Sequence, residues 1–178
     1  MVAAVPETPA PSRAEFHRAI AATSDRWFAA CVKITGDRGL AEDAVQDALA
    51  TAWVKRHQFA GNAALTTWIH RIAVNAALQI VRRRQPDFVD PQSFEVTDEA
   101  GGPAELHREF ELDEALRQAF SVLTEMERVC FVLKHLEQWR IREIMEALDL
   151  AEGTVKQAVF RAVRKLRPRL ADLREGFA

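Results

Sequence analysis

No stretch of 18 uninterrupted apolar residues occurs in the chain, which excludes a helix that spans a bilayer. The opening residues, MVAAVPETPAPSR, lack a basic start followed by an apolar block. That excludes a secretory signal peptide, and the prolines and small residues predict a disordered lead-in over 1–12. These absences predict a cytoplasmic protein without membrane insertion. Cysteine is scarce. Cys31 and Cys130 stand far apart with no CxxC, which reads as two reduced, buried thiols rather than a disulfide framework. Catalytic signatures are missing as well: there is no HExxH, no P-loop and no GxGxxG. The histidines, at 17, 57, 70, 107 and 135, are scattered. His107-Arg108-Glu109 matches H-x-E, but no P-C-x-x-C follows, so it is not a zinc deaminase. The expectation is a protein that is not an enzyme, with no catalytic or metal site, no cofactor and no small-molecule substrate.

Strand-like alternation and internal repeats are also absent, and helical periodicity dominates. The class is all-α. A length of 178 residues at 48% hydrophobic supports one ordinary domain or two small ones with thin cores. Residues Ala14–Thr35 place Phe16, Ile20, Trp27 and Cys31 at helical spacing, with Gly36 as a stop. From Leu40 to about Arg56 a second helix carries Leu40, Ala44/Val45, Ala48/Leu49 and Ala52/Trp53 on one stripe. The loop FAGNAA (59–64) follows. Thr66 or Thr67 can cap a third helix to about Arg84, whose stripe is Trp68/Ile69, Ile72, Ala76 and Ile80. Pro86 and Pro91 end it.

Residues 87–104 are rich in Pro, Gly, Asp and Glu and read as a flexible acidic linker. The expected organisation is a lead-in (1–12), a first helical domain (13–86), the linker (87–104) and a second helical domain (105–178). In the second, Thr124 and Glu127 form a T-x-x-E capping box before RVCFVLKHL. A short helix near Ile141–Leu148, a turn DLAEG and a basic helix to Leu166 follow, ended or kinked by Pro168.

Charge is segregated although the net charge is only -2. Residues 48–86 hold six bases and no acid, 87–114 hold ten acids against Arg108, and 153–178 hold seven bases against Asp172 and Glu175. Isolated charge runs are usually solvated helix faces. Two basic blocks around an acidic one point instead to a polyanion gripped at two places.

A short helix, a tight turn and a longer basic helix make a helix-turn-helix pattern. In its last helix Val155, Val159, Ala162 and Leu166 face inward. Thr154, Gln157, Ala158 and Arg161 are the candidate base readers; Lys156, Arg164, Lys165 and Arg167 are better placed for phosphates. In the first half, Glu42, Asp43, Gln46 and Asp47 cluster through i,i+4 pairs. Acids near a helix start are favoured by its dipole alone; as a patch they make a docking face for a basic protein surface. On the third helix Arg71, Asn75, Gln79 and Arg83 form a polar strip suited to base edges and phosphates. Trp68 sits beside a small-residue loop that can receive a flipped base, although most tryptophans at helical spacing are simply core.

Four segments carry a resemblance: AEDAVQDALATAW (41–53), LTTWIHRIAVNAALQIVRRR (65–84), LTEMERVCFVLKHLEQW (123–139) and EIMEALDLAEGTVKQAVFRAVRKL (143–166). In order and spacing they resemble conserved regions two and four of bacterial sigma factors of the extracytoplasmic-function (ECF) group. The resemblance implies a protein that binds core RNA polymerase, directs it to promoter DNA and helps open the duplex. It implies polymerase docking by Glu42, Asp43, Gln46 and Asp47. Gly61, Asn62 and Ala63 match a loop that captures a flipped base of the minus-ten element. Trp68, Arg71, Asn75, Gln79, Arg82 and Arg83 match the helix that melts and holds that element. Thr154, Lys156, Gln157, Arg161 and Arg164 match the minus-thirty-five reader. The acidic linker resembles the segment that threads the polymerase channels. Control by an anti-sigma protein is implied too.

The chain departs from the family pattern at several points. Gln79 stands for a usual acid, Val74 for Arg, Arg140 for Ser, and Gln157-Ala158 for Ser-Arg. Ala151 replaces a Ser cap, a change typically costing about 0.5–2 kcal/mol. Each altered base contact is worth roughly 1–3 kcal/mol, so the departures bear on promoter sequence. They also leave room for a sigma-like decoy that sequesters an anti-sigma protein without promoter recognition. A dimeric helix-turn-helix repressor is a third reading, but the first half fits polymerase docking better. Phe160 on the basic helix can meet a protein partner, a thymine methyl, or nothing.

Overall fold

The computed structural model describes residues 10–84 and 118–176, with side chains as far as Arg169. Every element among them is helical, and the fold is all-α. The chain divides into two compact units between Arg84 and Gln85. The acidic linker at 87–104, the start of the second domain from Glu105 and lead-in residues 1–9 lie outside the described residues.

In the first unit, α1 (Arg13–Thr35) opens with a capping box. The Ser12 hydroxyl accepts from the Glu15 N–H at 3.3 Å, and the Glu15 carboxylate accepts from the Ser12 N–H at 2.7 Å. These bonds satisfy two of the donors a helix start leaves open. Gly36 ends α1 in the left-handed region, φ 73°, its N–H reaching the Val32 carbonyl. Only a residue without Cβ takes that conformation freely. Asp37 then caps α2 (Arg38–Val54), accepting from the Leu40 N–H at 2.8 Å. A single 3₁₀ turn at Arg56–Gln58 leads to the loop before α3 (Leu65–Arg84).

Each pair of these helices is in contact. The core takes Phe16, Trp27, Cys31 and Ile34 from α1, and Ala41, Ala44, Ala48 and Ala52 from α2. From α3 it takes Ile69, Ala73, Val74, Ala77, Leu78 and Val81. The face α2 buries is therefore all alanine, which lets the flanking backbones come close.

Three local expectations change. The buried face of α3 is centred on Ala73 and Ala77, while Trp68, Ile72, Ala76 and Ile80 are only half-buried. Apolar residues cover a wide arc of this helix and two neighbours pack on it, so spacing alone does not find the centre. Trp53 is 39% exposed; the edge-to-face Phe16 ring lies 5.2 Å away and the Arg56 guanidinium stacks at 4.4 Å. Thr66 and Thr67 lie inside the first turn of α3, because the Ala64 carbonyl already accepts from the Trp68 N–H.

In the second unit, Thr124 opens α4 (Glu125–Phe131). The expected capping box is present: the Thr124 hydroxyl accepts from the Glu127 N–H at 3.3 Å, and the Glu127 carboxylate from the Thr124 N–H at 2.9 Å. The helix widens into a π turn at Val132–Leu136. α5 (Ile141–Leu148) closes at Asp149, φ 56°, and α6 (Glu152–Gly176) follows after a connection of three residues, 149–151. At the start of α5 the Glu143 carboxylate accepts from the Arg140 N–H at 2.8 Å. Val129, Cys130, Leu133, Ile144, Leu148, Val155, Ala162 and Leu166 are buried. Pro168 neither ends nor breaks α6. It is exposed, and its missing N–H removes one intrahelical hydrogen bond.

Candidate nucleic-acid and protein-docking surfaces

The buried line of α6 is Val155, Ala158, Ala162 and Leu166. At 100° per residue the opposite line is Gln157, Phe160 and Arg164. Lys156 and Arg167 flank it on one side, Thr154 and Arg161 on the other. Thr154, Lys156, Gln157, Arg164 and Arg167 are exposed and Arg161 is half-buried. Ala158, expected among the outward readers, is 6% exposed and packs inward. Val159, expected inward, is only half-buried. The i,i+3 neighbour of Val155 wins over the i,i+4 one because the side chain there is small enough for close packing. Lys156 pairs with Glu152 one turn earlier. That hydrogen bond, and the ammonium's charge, hold the Glu152 carboxyl below the usual range. Lys165 reaches Glu127 of α4 at 2.7 Å.

Phe160, expected to meet a protein partner, a thymine methyl or nothing, is 65% exposed at the centre of this basic face.

On α3, Arg71, Asn75, Gln79, Arg82 and Arg83 are all exposed. Spacing by four aligns 71, 75, 79 and 83 over about 18 Å, with no acid on the helix. Val74, one of the departures from the family pattern, is fully buried, so its consequence falls on packing rather than on this strip. Gln79 leaves the strip without a negative charge. The loop residues Gly61, Asn62 and Ala63 are exposed, and Gly61 takes φ 71°. Phe59 and Trp68 close the loop's base, their rings 5.5 Å apart and tilted by 58°.

On α2, Glu42, Asp43, Gln46 and Asp47 are exposed, opposite the alanine face. The bundle thus carries an acidic outward face and a basic one on adjacent helices. Cys31 and Cys130 are both buried, and neither is in a disulfide. Among the described residues no cluster of His, Cys, Asp and Glu is arranged to hold a metal, and no helix is long and apolar enough to cross a membrane.

Comparison with known proteins matches two family models, Sigma-70 region 2 over residues 20–86 and Sigma-70 region 4 over residues 113–166. The chain is 30% identical over 159 residues to the ECF RNA polymerase sigma factor SigW of Bacillus subtilis, covering 84% of this chain and 85% of that one. It is 32% identical over 130 residues to the ECF RNA polymerase sigma-E factor of Escherichia coli K12, covering 67% and 68%. Against SigG of Mycobacterium tuberculosis, 29% identical over 176 residues, it spans 46% of a longer protein. Its fold is similar to that of the sigma factor RpoE of Bartonella quintana, solved with the anti-sigma factor NepR. The TM-score is 0.58 at 23% identity, over 88% of this chain and 97% of that one. The chain belongs to the ECF sigma factors.

Proposed function

We propose that this ECF sigma factor binds core RNA polymerase in the cytoplasm, directs it to promoters and helps melt them, without chemistry of its own. The observation that carries the reading is the pair of faces on the first bundle. Acidic α2 and basic α3 are held by one small core, so one body can grip a protein and a nucleic acid at once. Glu42, Asp43, Gln46 and Asp47 dock on the polymerase. Gly61, Asn62 and Ala63 receive a flipped base, and Trp68, Arg71, Asn75, Gln79, Arg82 and Arg83 hold the minus-ten strand. Thr154, Gln157 and Arg161 read the minus-thirty-five duplex, with Lys156 and Arg164 on phosphates.

The division into a first domain (13–86), a linker (87–104) and a second domain (105–178) follows the same reading. The linker's acids would mimic nucleic acid in the polymerase channels and, with α2, keep the free chain from binding DNA indiscriminately, since phosphate contacts are blind to sequence. An anti-sigma protein is the expected regulator, as the complex of RpoE with NepR illustrates for that relative.

Purified protein mixed with core RNA polymerase is to be tested for selective transcription on genomic fragments, its own upstream region among them. Discrete transcripts support the reading and locate the promoter elements. Absence of core binding overturns it and favours the decoy.

A further inference from the structure

We propose that Lys165 is a positioning residue for promoter recognition, which sets the angle of α6 on the domain instead of touching the DNA backbone. The proposal rests on the reading of α6 as the duplex-facing helix. By sequence Lys165 is one more base on a basic helix. The structure puts its ammonium 2.7 Å from Glu127 Oε2, across 38 residues of chain. Glu127 is only 4% exposed, and the same oxygen accepts from the Thr124 N–H at 2.9 Å. A carboxylate taken out of water needs its cation, because an unpaired buried charge is strongly destabilising. A phosphate reaching for Lys165 would have to displace that partner, or sit beside its negative charge.

The location of the pair gives it leverage. Glu127 belongs to the first turn of α4, fixed by its own capping box, and α4 packs directly against α6. Lys165 lies on the flank of α6, beside the buried Ala158 and Ala162 line rather than on the outward line of Gln157, Phe160 and Arg164. Rotation of α6 about its axis, or sliding along it, would carry the Lys165 ammonium away from Glu127 as well as disturb the buried line. The pair therefore fixes where the reading face points.

The test uses the full chain bound to core polymerase, and a fluorescein-labelled duplex that the wild-type holoenzyme enriches from a randomised pool. Variants Lys165→Met, Lys165→Arg and Glu127→Gln are compared after circular dichroism has fixed a temperature at which all are folded. Gln at 127 retains the capping box, which accepts Gln as well as Glu. Affinity for the selected duplex and for a scrambled one is measured against salt. For Lys165→Met and Glu127→Gln, preference for the selected sequence should fall by about three- to tenfold, and the double variant should be no worse than either single one. The salt slope should not change, and Lys165→Arg should restore the preference. A salt slope smaller by about 0.9 in Lys165→Met, with Glu127→Gln binding like wild type, identifies a phosphate contact and overturns the proposal. Unchanged preference in both single variants overturns it too. If the wild-type holoenzyme enriches no sequence at all, the parent reading fails and this inference with it.

Discussion

The Cys31 thiol on α1 donates a hydrogen bond to the Ala73 carbonyl on α3, 3.5 Å away inside the first unit. A side chain as short as Cys reaches a neighbouring backbone only where two helices run close, and Ala73 leaves the room. The alanine face of α2 closes the same bundle. Ala48→Leu should therefore destabilise the first unit by about 1–3 kcal/mol through overpacking. Hydrogen exchange on the full chain checks it: amides of α1 to α3 should lose protection, while those of α4 to α6 keep theirs.

Burial pushes the Cys130 thiol up to about 12. The unfolded thiol titrates near 8.5. Below that pH both states hold the proton, and the stabilising term is fully present. As pH rises from about 9 towards 12, the unfolded chain releases a proton that the folded one keeps. The second unit should then lose up to about 1.4 kcal/mol per pH unit from this group. Urea unfolding of wild type and Cys130→Ala at pH 7.5 to 10.5 measures it, and the variant should show a flatter alkaline limb.

The acidic face of α2 makes a prediction that separates docking from folding. Asp43 and Asp47 are exposed, and their i,i+4 spacing puts them on one face. Reversing both to Lys should leave the melting temperature of the free chain nearly unchanged, as surface substitutions do. Affinity for core polymerase should fall by about 2–5 kcal/mol if the partner's basic groups are desolvated on them. Surface plasmon resonance against immobilised core polymerase reads this directly.

Much of this fold is local in origin, and that is why it was legible. Gly36 after Thr35, and Thr124 three residues before Glu127, are caps written in adjacent residues, and both appear in the structure. The polar strip of Arg71, Asn75, Gln79 and Arg83 follows from spacing alone, and all four side chains are exposed. What spacing could not supply was the angular centre of each buried face. Ala158 and Ala73 are small residues drawn inward because neighbouring helices approach them, and that is a tertiary fact. The bond from Lys165 to Glu127 spans 38 residues, and no short-range pattern marks it. Phe160 was legible as a side chain open to a partner, because the inward line of its helix is filled by other residues, and it is exposed; its place at the centre of the outward line needed the structure.

That exposed ring leads to the sharpest prediction. Phe160 is 65% exposed between Gln157 and Arg164 on the outward line of α6. An exposed aromatic contributes little to folding, so Phe160→Ala should change stability by no more than about 0.5 kcal/mol. In the major groove the apolar feature open to such a ring is the thymine C5 methyl. Replacing each thymine of the selected minus-thirty-five duplex by deoxyuridine removes that methyl and leaves base pairing intact. At one position the change should weaken wild-type binding by about 1 kcal/mol or more, within the range for a lost specific contact. The same change should be silent in Phe160→Ala, since the ring and the methyl form a single interaction and removing either removes it all. Fluorescence anisotropy at fixed salt measures both arms. A duplex in which every thymine tolerates deoxyuridine would show that the ring meets no methyl, and would leave Phe160 as a surface for protein rather than for DNA.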